Sequence, residues 1–326
     1  MKTLLKIVGV VVVVALVAAV AGVGYMYAAY PNVELTEYRI EATPERLARG
    51  KYLADHVTGC TTCHAQRDWS RFSGPAKPET IGAGGDAFPL GPAGTMYAKN
   101  ITPVALGSWS DGELFRAVTG GVSRDGTPLF PLMPYPHFGV MDPEDVHAVL
   151  AYTRSLKAIE NTNIPERELN FPLFLIVRTI PKPANPQPRP PATDKLAYGR
   201  YLLRASLCSD CHTPIDEQGT PLPGLDFAGG MEIIETGYRV RSANITPDAD
   251  TGIGTWTEQQ FVDKFKAFEN TPPATLSDVE RRQNTPMPWT AYAGMTREDL
   301  AAIYTALRSQ KPIVNRVNKF PDAQSR

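Results

Sequence analysis

An excess of charge of either sign is what this chain most plainly lacks. Its 33 lysines and arginines stand against 34 aspartates and glutamates, a formal net charge of −1. With no basic footprint for a polyanion, nucleic acid is not expected as a partner. Period-two alternation is lacking as well, so the expected fold class is all-α. Histidine is scarce, at five residues (His56, His64, His137, His147 and His212), and cysteine is scarcer still, at four.

Proline and glycine are plentiful, at 30 and 26 residues, and predict long shaped loops of the kind that wrap a cofactor. The four cysteines all fall in Cys60-Thr61-Thr62-Cys63-His64 and Cys208-Ser209-Asp210-Cys211-His212. Two cysteines at this spacing with histidine directly after form the attachment signature of a c-type haem. The thiols add across the haem vinyl groups to give thioethers, and His64 and His212 become proximal iron ligands. Two covalently attached haem c groups are therefore expected. The competing readings are one zinc ion held by all four thiolates and a redox CxxC pair, which would need a βαβ setting. Neither accounts for a histidine after both pairs.

Met1 to Lys6 carries two lysines, and the chain then runs from Ile7 to Tyr30 without a charge. That exceeds the roughly 20 residues a helix needs to cross a bilayer. A signal peptide cleaved after Ala19-Val20-Ala21 is the rival, but it would leave Gly22 to Tyr30 as an apolar stub. Tyr25, Tyr27 and Tyr30 fit an interfacial aromatic belt, and Lys2 and Lys6 hold the N-terminus in the cytoplasm. A single-pass anchor in the cytoplasmic membrane is expected, in contact with lipid, with the remainder in the periplasm or otherwise outside the cytoplasm.

Beyond residue 30 the sequence repeats. Gly50-Lys51-Tyr52-Leu53 precedes the first CxxCH and Gly199-Arg200-Tyr201-Leu202 the second. Asn100-Ile101-Thr102-Pro103 recurs as Asn244-Ile245-Thr246-Pro247, Trp109 as Trp256, and Met133-Pro134-Tyr135 as Met287-Pro288-Trp289. Ser110 with Glu113 and Thr257 with Gln260 have capping-box spacing. Asp142 and Thr296 are N-caps for two amphipathic closing helices. The expected organisation is an anchor over 1–30, domains over 31–160 and 194–326, the second with a C-terminal tail, and a proline-rich linker over 161–193. The end of that linker should be extended. Its apolar run Phe171 to Val177 is expected to pack across the two domains; the alternative is a patch facing a partner or the membrane.

A six-coordinate haem needs a distal ligand. The second half has only His212, so its distal ligand is a methionine: Met231, Met287 or Met295. In the first half Met133 has the matching place, with His137 as rival. Met141 and Met295 read as core, His147 as a solvated surface residue, and His56 as a surface or supporting histidine.

The order CxxCH, Gly-x-Trp (Gly107-Ser108-Trp109 and Gly254-Thr255-Trp256), Met-Pro and closing helix resembles class I cytochrome c. Asn-Ile-Thr-Pro, together with the run Thr251 to Trp256, is similar to the multihaem cytochrome c subunits of bacterial membrane-bound alcohol and gluconate dehydrogenases. The resemblance covers about residues 45 to 311. It implies two tandem class I domains in which Met133 and Met287 ligate iron. It further implies that Pro75 and Pro223 offer carbonyls to the proximal histidines, that Trp109 and Trp256 donate to haem propionates, and that Arg241 faces a propionate. Those subunits usually carry three CxxCH motifs where this chain has two, so their quinone-reducing role is not carried over.

With both faces of each iron closed, the expected function is one-electron relay rather than catalysis on a substrate. The donor would be a membrane dehydrogenase or an upstream cytochrome complex of a respiratory chain. The acceptor would be a high-potential one, a terminal oxidase or soluble cytochrome. A dihaem cytochrome c peroxidase is the enzymatic alternative. A thiolate-ligated oxidoreductase would need a spare cysteine.

Overall fold

The computed structural model describes residues 1–217, 219–235 and 238–321. The N-terminal run forms one helix, Lys2–Ala29, with none of its side chains buried. The matched helices then appear in both halves. A leading helix spans Pro44–Tyr52 in the first and Lys195–Ala205 in the second, capped by Thr43 and Asp194. Both expected capping boxes form, opening helices Asp111–Gly120 and Glu258–Lys266. The closing helices run Pro143–Arg154 and Arg297–Arg308 from Asp142 and Thr296 as N-caps.

In each half the leading and closing helices cross at a glycine. A Cβ on Gly50 would lie 1.8 Å from the Ala148 carbonyl oxygen, and one on Gly199 would lie 2.0 Å from that of Ala302. Only a bare Cα lets the backbones approach this closely. The halves then diverge by one residue, because Gly50 to Cys60 is longer than Gly199 to Cys208. The first half absorbs the extra residue in a π-helical turn, Leu53–Val57, the usual form of a single insertion within a helix.

The halves share one buried core, in which Leu53, Val57, Leu150, Leu202, Met295, Leu300 and Leu307 take part. A reciprocal exchange of hydrogen bonds closes it. Tyr52 donates to Asp299 Oδ2 and Tyr201 to Asp145 Oδ2, both at 2.6 Å. Asp145 also accepts both arms of Arg49 at 2.9 Å and Arg189 at 2.5 Å. Burial pushes its carboxyl up, but Arg49, Tyr201 and Arg189 outweigh this and hold it below the usual aspartate value.

The chain is mostly helical, yet the strict all-α expectation needs correction. Strands Ala87–Pro89, Gly94–Tyr97 and Glu168–Leu169 form an antiparallel sheet, and Glu232–Glu235 pairs with Tyr238–Arg241. Strands this short carry too little alternation to be read from sequence. The third of them lies within 161–193, so this segment docks on the first half. Asn185 and Gln187 bond the carbonyls of Gly139 and Val140, and Arg189 N–H bonds Asp142. The apolar run does not pack across the two halves as expected. Val177 is buried, but Phe171, Phe174 and Ile176 are exposed. Beside them Arg178 donates to the Tyr30 carbonyl at 2.5 Å and lies over the Tyr27 ring at 4.2 Å, at the end of the N-terminal helix.

Two outcomes follow for stability. Gly199→Ala forces two backbones apart and should cost roughly 3 kcal/mol, read by denaturant unfolding; an unchanged midpoint would show that the crossing has slack. Asp145 binds its proton less well folded than unfolded. Its stabilisation is therefore present above about pH 3.9 and lost as pH falls below that value. Asp145→Asn should flatten that acid limb and lower neutral-pH stability by roughly 3–5 kcal/mol, since it strips a buried charge from its partners.

Candidate haem-binding site

Each cysteine pair sits on a short helical turn, Cys60–Cys63 and Cys208–His212. All four are free thiols. Burial pushes Cys60 and Cys208 up to about 11, partly offset by Thr58 Oγ1 at 3.2 Å and Ser206 Oγ at 3.3 Å from the respective sulfurs. Cys211 is pushed up to about 12 by burial and by the neighbouring Asp210. Among the described residues no three His, Cys, Asp or Glu side chains converge as metal ligands, so the four-thiolate zinc reading has no site.

The histidines are fixed by backbone. His64 Nδ1 lies 2.7 Å from the Lys99 carbonyl oxygen and His212 Nδ1 lies 2.7 Å from that of Ala243. A carbonyl only accepts, so Nδ1 carries the proton and Nε2 keeps its lone pair for a metal. Burial depresses both imidazoles below their ordinary value, and these bonds partly offset it. Neutral imidazole is the ligating form.

The repeated Asn-Ile-Thr-Pro sets those carbonyls. Asn100 Oδ1 accepts from Thr102 N–H and O–H at 2.8 and 2.7 Å, while its amide donates to Ile159 O at 2.8 Å. Asn244 does the same with Thr246 and Ile313 at 2.9, 2.7 and 2.8 Å. Each turn is thus tied to the chain just beyond a closing helix. Gly84 and Gly229 complete the clamp: their N–H groups bond the His64 and His212 carbonyls at 3.0 and 2.7 Å. A Cβ on Gly84 would lie 2.6 Å from the Lys99 carbonyl carbon, and one on Gly229 would lie 2.3 Å from that of Ala243.

The expected role of Pro75 and Pro223 is therefore corrected. The loop after His64 folds back on itself, and the Pro75 carbonyl accepts from Asp68 N–H at 2.9 Å instead. Among the described residues the Pro223 carbonyl has no hydrogen bond to His212, whose Nδ1 instead faces the Ala243 carbonyl. The Arg241 guanidinium pairs with Glu232 at 2.9 Å across the hairpin.

Met133-Pro134 and Met287-Pro288 form congruent turns. Tyr135 N–H bonds Met133 O at 2.7 Å, and Trp289 N–H bonds Met287 O at 2.8 Å. Both methionines are half-buried, whereas Met141 and Met295 lie in the core as expected. Met231 stands at the edge of the 232–241 hairpin, its N–H on Ser242 Oγ. His137 is engaged elsewhere, its Nε2 lying 2.9 Å from Asp210 of the second attachment segment. His56 reaches the Ala291 carbonyl at 2.9 Å. His147 is not on a solvated face; its ring packs against Tyr38 and Phe115. Trp109 and Trp256 are half-buried, and neither indole N–H has a hydrogen-bond partner among the described residues. Tyr292 donates to Ser206 O at 2.6 Å, and burial, with Cys208, Cys211 and Cys63 of both attachment segments nearby, pushes its phenol well up.

This donor set fits haem c: in each half two free thiols precede an imidazole with only Nε2 left to bind iron. When bound, that group supplies reversible one-electron exchange. A mostly helical chain with such a clamp has the features of a c-type cytochrome. The comparisons with known proteins agree. The chain is 27% identical over 291 residues to the cytochrome c subunit of the quinone-dependent alcohol dehydrogenase of Gluconacetobacter polyoxogenes, covering 84% of this chain and 58% of that one. It is 30% identical over 238 residues to the gluconate 2-dehydrogenase cytochrome c subunit of Pantoea cypripedii, covering 68% and 51%. A dihaem cytochrome of Cereibacter sphaeroides matches at 27% over 184 residues, covering 53% and 59%. The chain spans a little over half the length of these relatives. No family model matches it. Its relatives are thus cytochrome c subunits of dehydrogenases and a dihaem cytochrome c, which supports electron transfer as the activity.

Asn244→Ala should free the Ala243 carbonyl. The expected cost is about 1–3 kcal/mol for each buried partner left unsatisfied. Thermal unfolding reads that loss, and the nitrogen chemical shifts of His212 read the tautomer. Unchanged shifts would mean that the carbonyl is held without the turn.

Proposed function

We propose that the chain is a membrane-anchored dihaem cytochrome c that relays single electrons from a membrane dehydrogenase or an upstream cytochrome complex to a high-potential acceptor, a terminal oxidase or soluble cytochrome. The observation that carries this reading is the duplicated clamp: two histidines fixed by carbonyls, two congruent Met-Pro turns, and attachment segments that both have cysteines near Tyr292. In it 31–160 and 194–326 are the two haem domains and 161–193 bridges them. Cys60, Cys63, Cys208 and Cys211 attach the haems, His64 with Met133 and His212 with Met287 close the two irons, and Trp109 and Trp256 serve the propionates. His137, committed to Asp210, leaves Met133 as the sixth ligand in the first half. Methionine ligation favours a high potential.

The chain's own part in transfer is placement. Burial favours the neutral form of each imidazole, the carbonyl clamps orient it with Nε2 free, and the shared core holds the centres at fixed separation. Lys2–Ala29 anchors the protein in the cytoplasmic membrane, with the haem domains on its outer face. The exposed Phe171, Phe174 and Ile176 beside Arg178 and Tyr27 suit the lipid interface at the helix end.

Haemochrome analysis should find two covalent haems per chain, and membranes supplied with dehydrogenase substrates should reduce both within the enzyme turnover time. Rapid peroxide turnover, with slow reduction by every membrane donor, would favour the peroxidase reading instead.

A further inference from the structure

The two Met-Pro turns share a backbone shape but not their surroundings. The second is gripped by the other half of the molecule. Ser73, on the loop following the first CxxCH, is fully buried and holds φ at +67°, a left-handed conformation unusual outside glycine. Its hydroxyl donates to the Met287 carbonyl at 2.6 Å and accepts from Trp289 N–H at 3.0 Å, bracketing Pro288. Its own N–H bonds Asn284 Oδ1 at 2.9 Å, and Arg67 from the same loop donates to the Pro286 carbonyl at 3.3 Å.

The second half has extra chain for this grip. Its run from Glu258 to Met287 is longer than the corresponding Asp111 to Met133. The surplus lies against the first-half loop: Phe72 N–H bonds Ala274 O, Leu276 N–H bonds Ser70 O, and the Phe72 and Phe268 rings stack at 5.4 Å. Met133 has no such clasp among the described residues; the Met133 amide bonds only the nearby Phe130 carbonyl. A buried non-glycine residue in a left-handed conformation persists where its surroundings over-determine it. Here they do so at the turn carrying one candidate iron ligand.

We propose that Ser73 is a positioning residue acting from the first half on Met287, so that the second iron keeps its thioether only while the two halves are docked. The proposal rests on the reading of Met287 as iron ligand. It makes the second thioether bond dependent on a contact that the first lacks.

The test uses the full-length oxidised holoprotein in detergent. Imidazole is titrated in, and loss of the sulfur-to-iron charge-transfer absorption follows methionine displacement. Met287→His identifies the phase belonging to the second haem by deleting it. Ser73→Gly removes the hydroxyl while relieving the positive φ, and Ser73→Ala removes the hydroxyl alone. Both should let imidazole displace the second methionine at a concentration about tenfold lower, with the first phase unmoved. Thermal unfolding run in parallel separates this local effect from a general loss of stability. Unchanged titrations, equal shifts in both phases, or a shift in Ser73→Ala alone would overturn the proposal. If Met287→His leaves both phases intact, the ligand reading itself fails and the proposal falls with it.

Discussion

In each half the arrangement depends on one contact, a backbone carbonyl held against a histidine ring nitrogen. The contact joins segments far apart in sequence, His64 with Lys99 and His212 with Ala243. It needs a glycine to let the strands of chain meet, an asparagine to shape the turn, and the segment beyond the closing helix to receive the asparagine's amide. The closing helix is in turn placed by its crossing with the leading helix, which delivers the cysteines. The histidine is thus orientated by the leading helix, the Asn-Ile-Thr-Pro turn and the closing helix of its half at once. This gives a physical reason for the landmarks to recur in the same order.

The halves are not beads on a string. Their cores are continuous, and the Tyr52–Asp299 and Tyr201–Asp145 bonds exchange equivalent side chains across the boundary. Such reciprocal bonding is the pattern of a two-fold dimer interface, here realised within one chain. The proline-rich connection lies along the first half rather than spanning free space, so its stiffness matters less than its docking.

Much of this was legible in the sequence because local chemistry sets it. Capping boxes, N-caps and paired motifs act over a few residues, and all formed where the spacing placed them. Met141 and Met295 could be assigned to the core from their place before the N-caps. What escaped reading depends on chain path. The Pro75 carbonyl was an attractive partner for His64 until the loop turned it toward Asp68. The repeated Ala-Gly-Gly at 83–85 and 228–230 was visible, but its purpose appears only when the facing carbonyls are known. His147 sits on the polar side of its helix by periodicity, yet Tyr38 and Phe115 come from elsewhere to cover it. The pairing of Arg241 with Glu232 rests on a hairpin too short to foresee.

The π-helical turn at Leu53–Val57 records how far the halves have parted from identity. A duplicated ancestor would begin with interchangeable copies. The inserted residue carries His56 onto the Ala291 carbonyl, against Gly294, where a Cβ would meet the ring at 2.1 Å. The first half has Val140 at the place of Gly294, so it could not receive such a ring itself. Lock and key have each been cut into only one copy, and exchanging them would undo the fit. Descent from a repeat has here become a division of labour that can no longer be reversed one residue at a time.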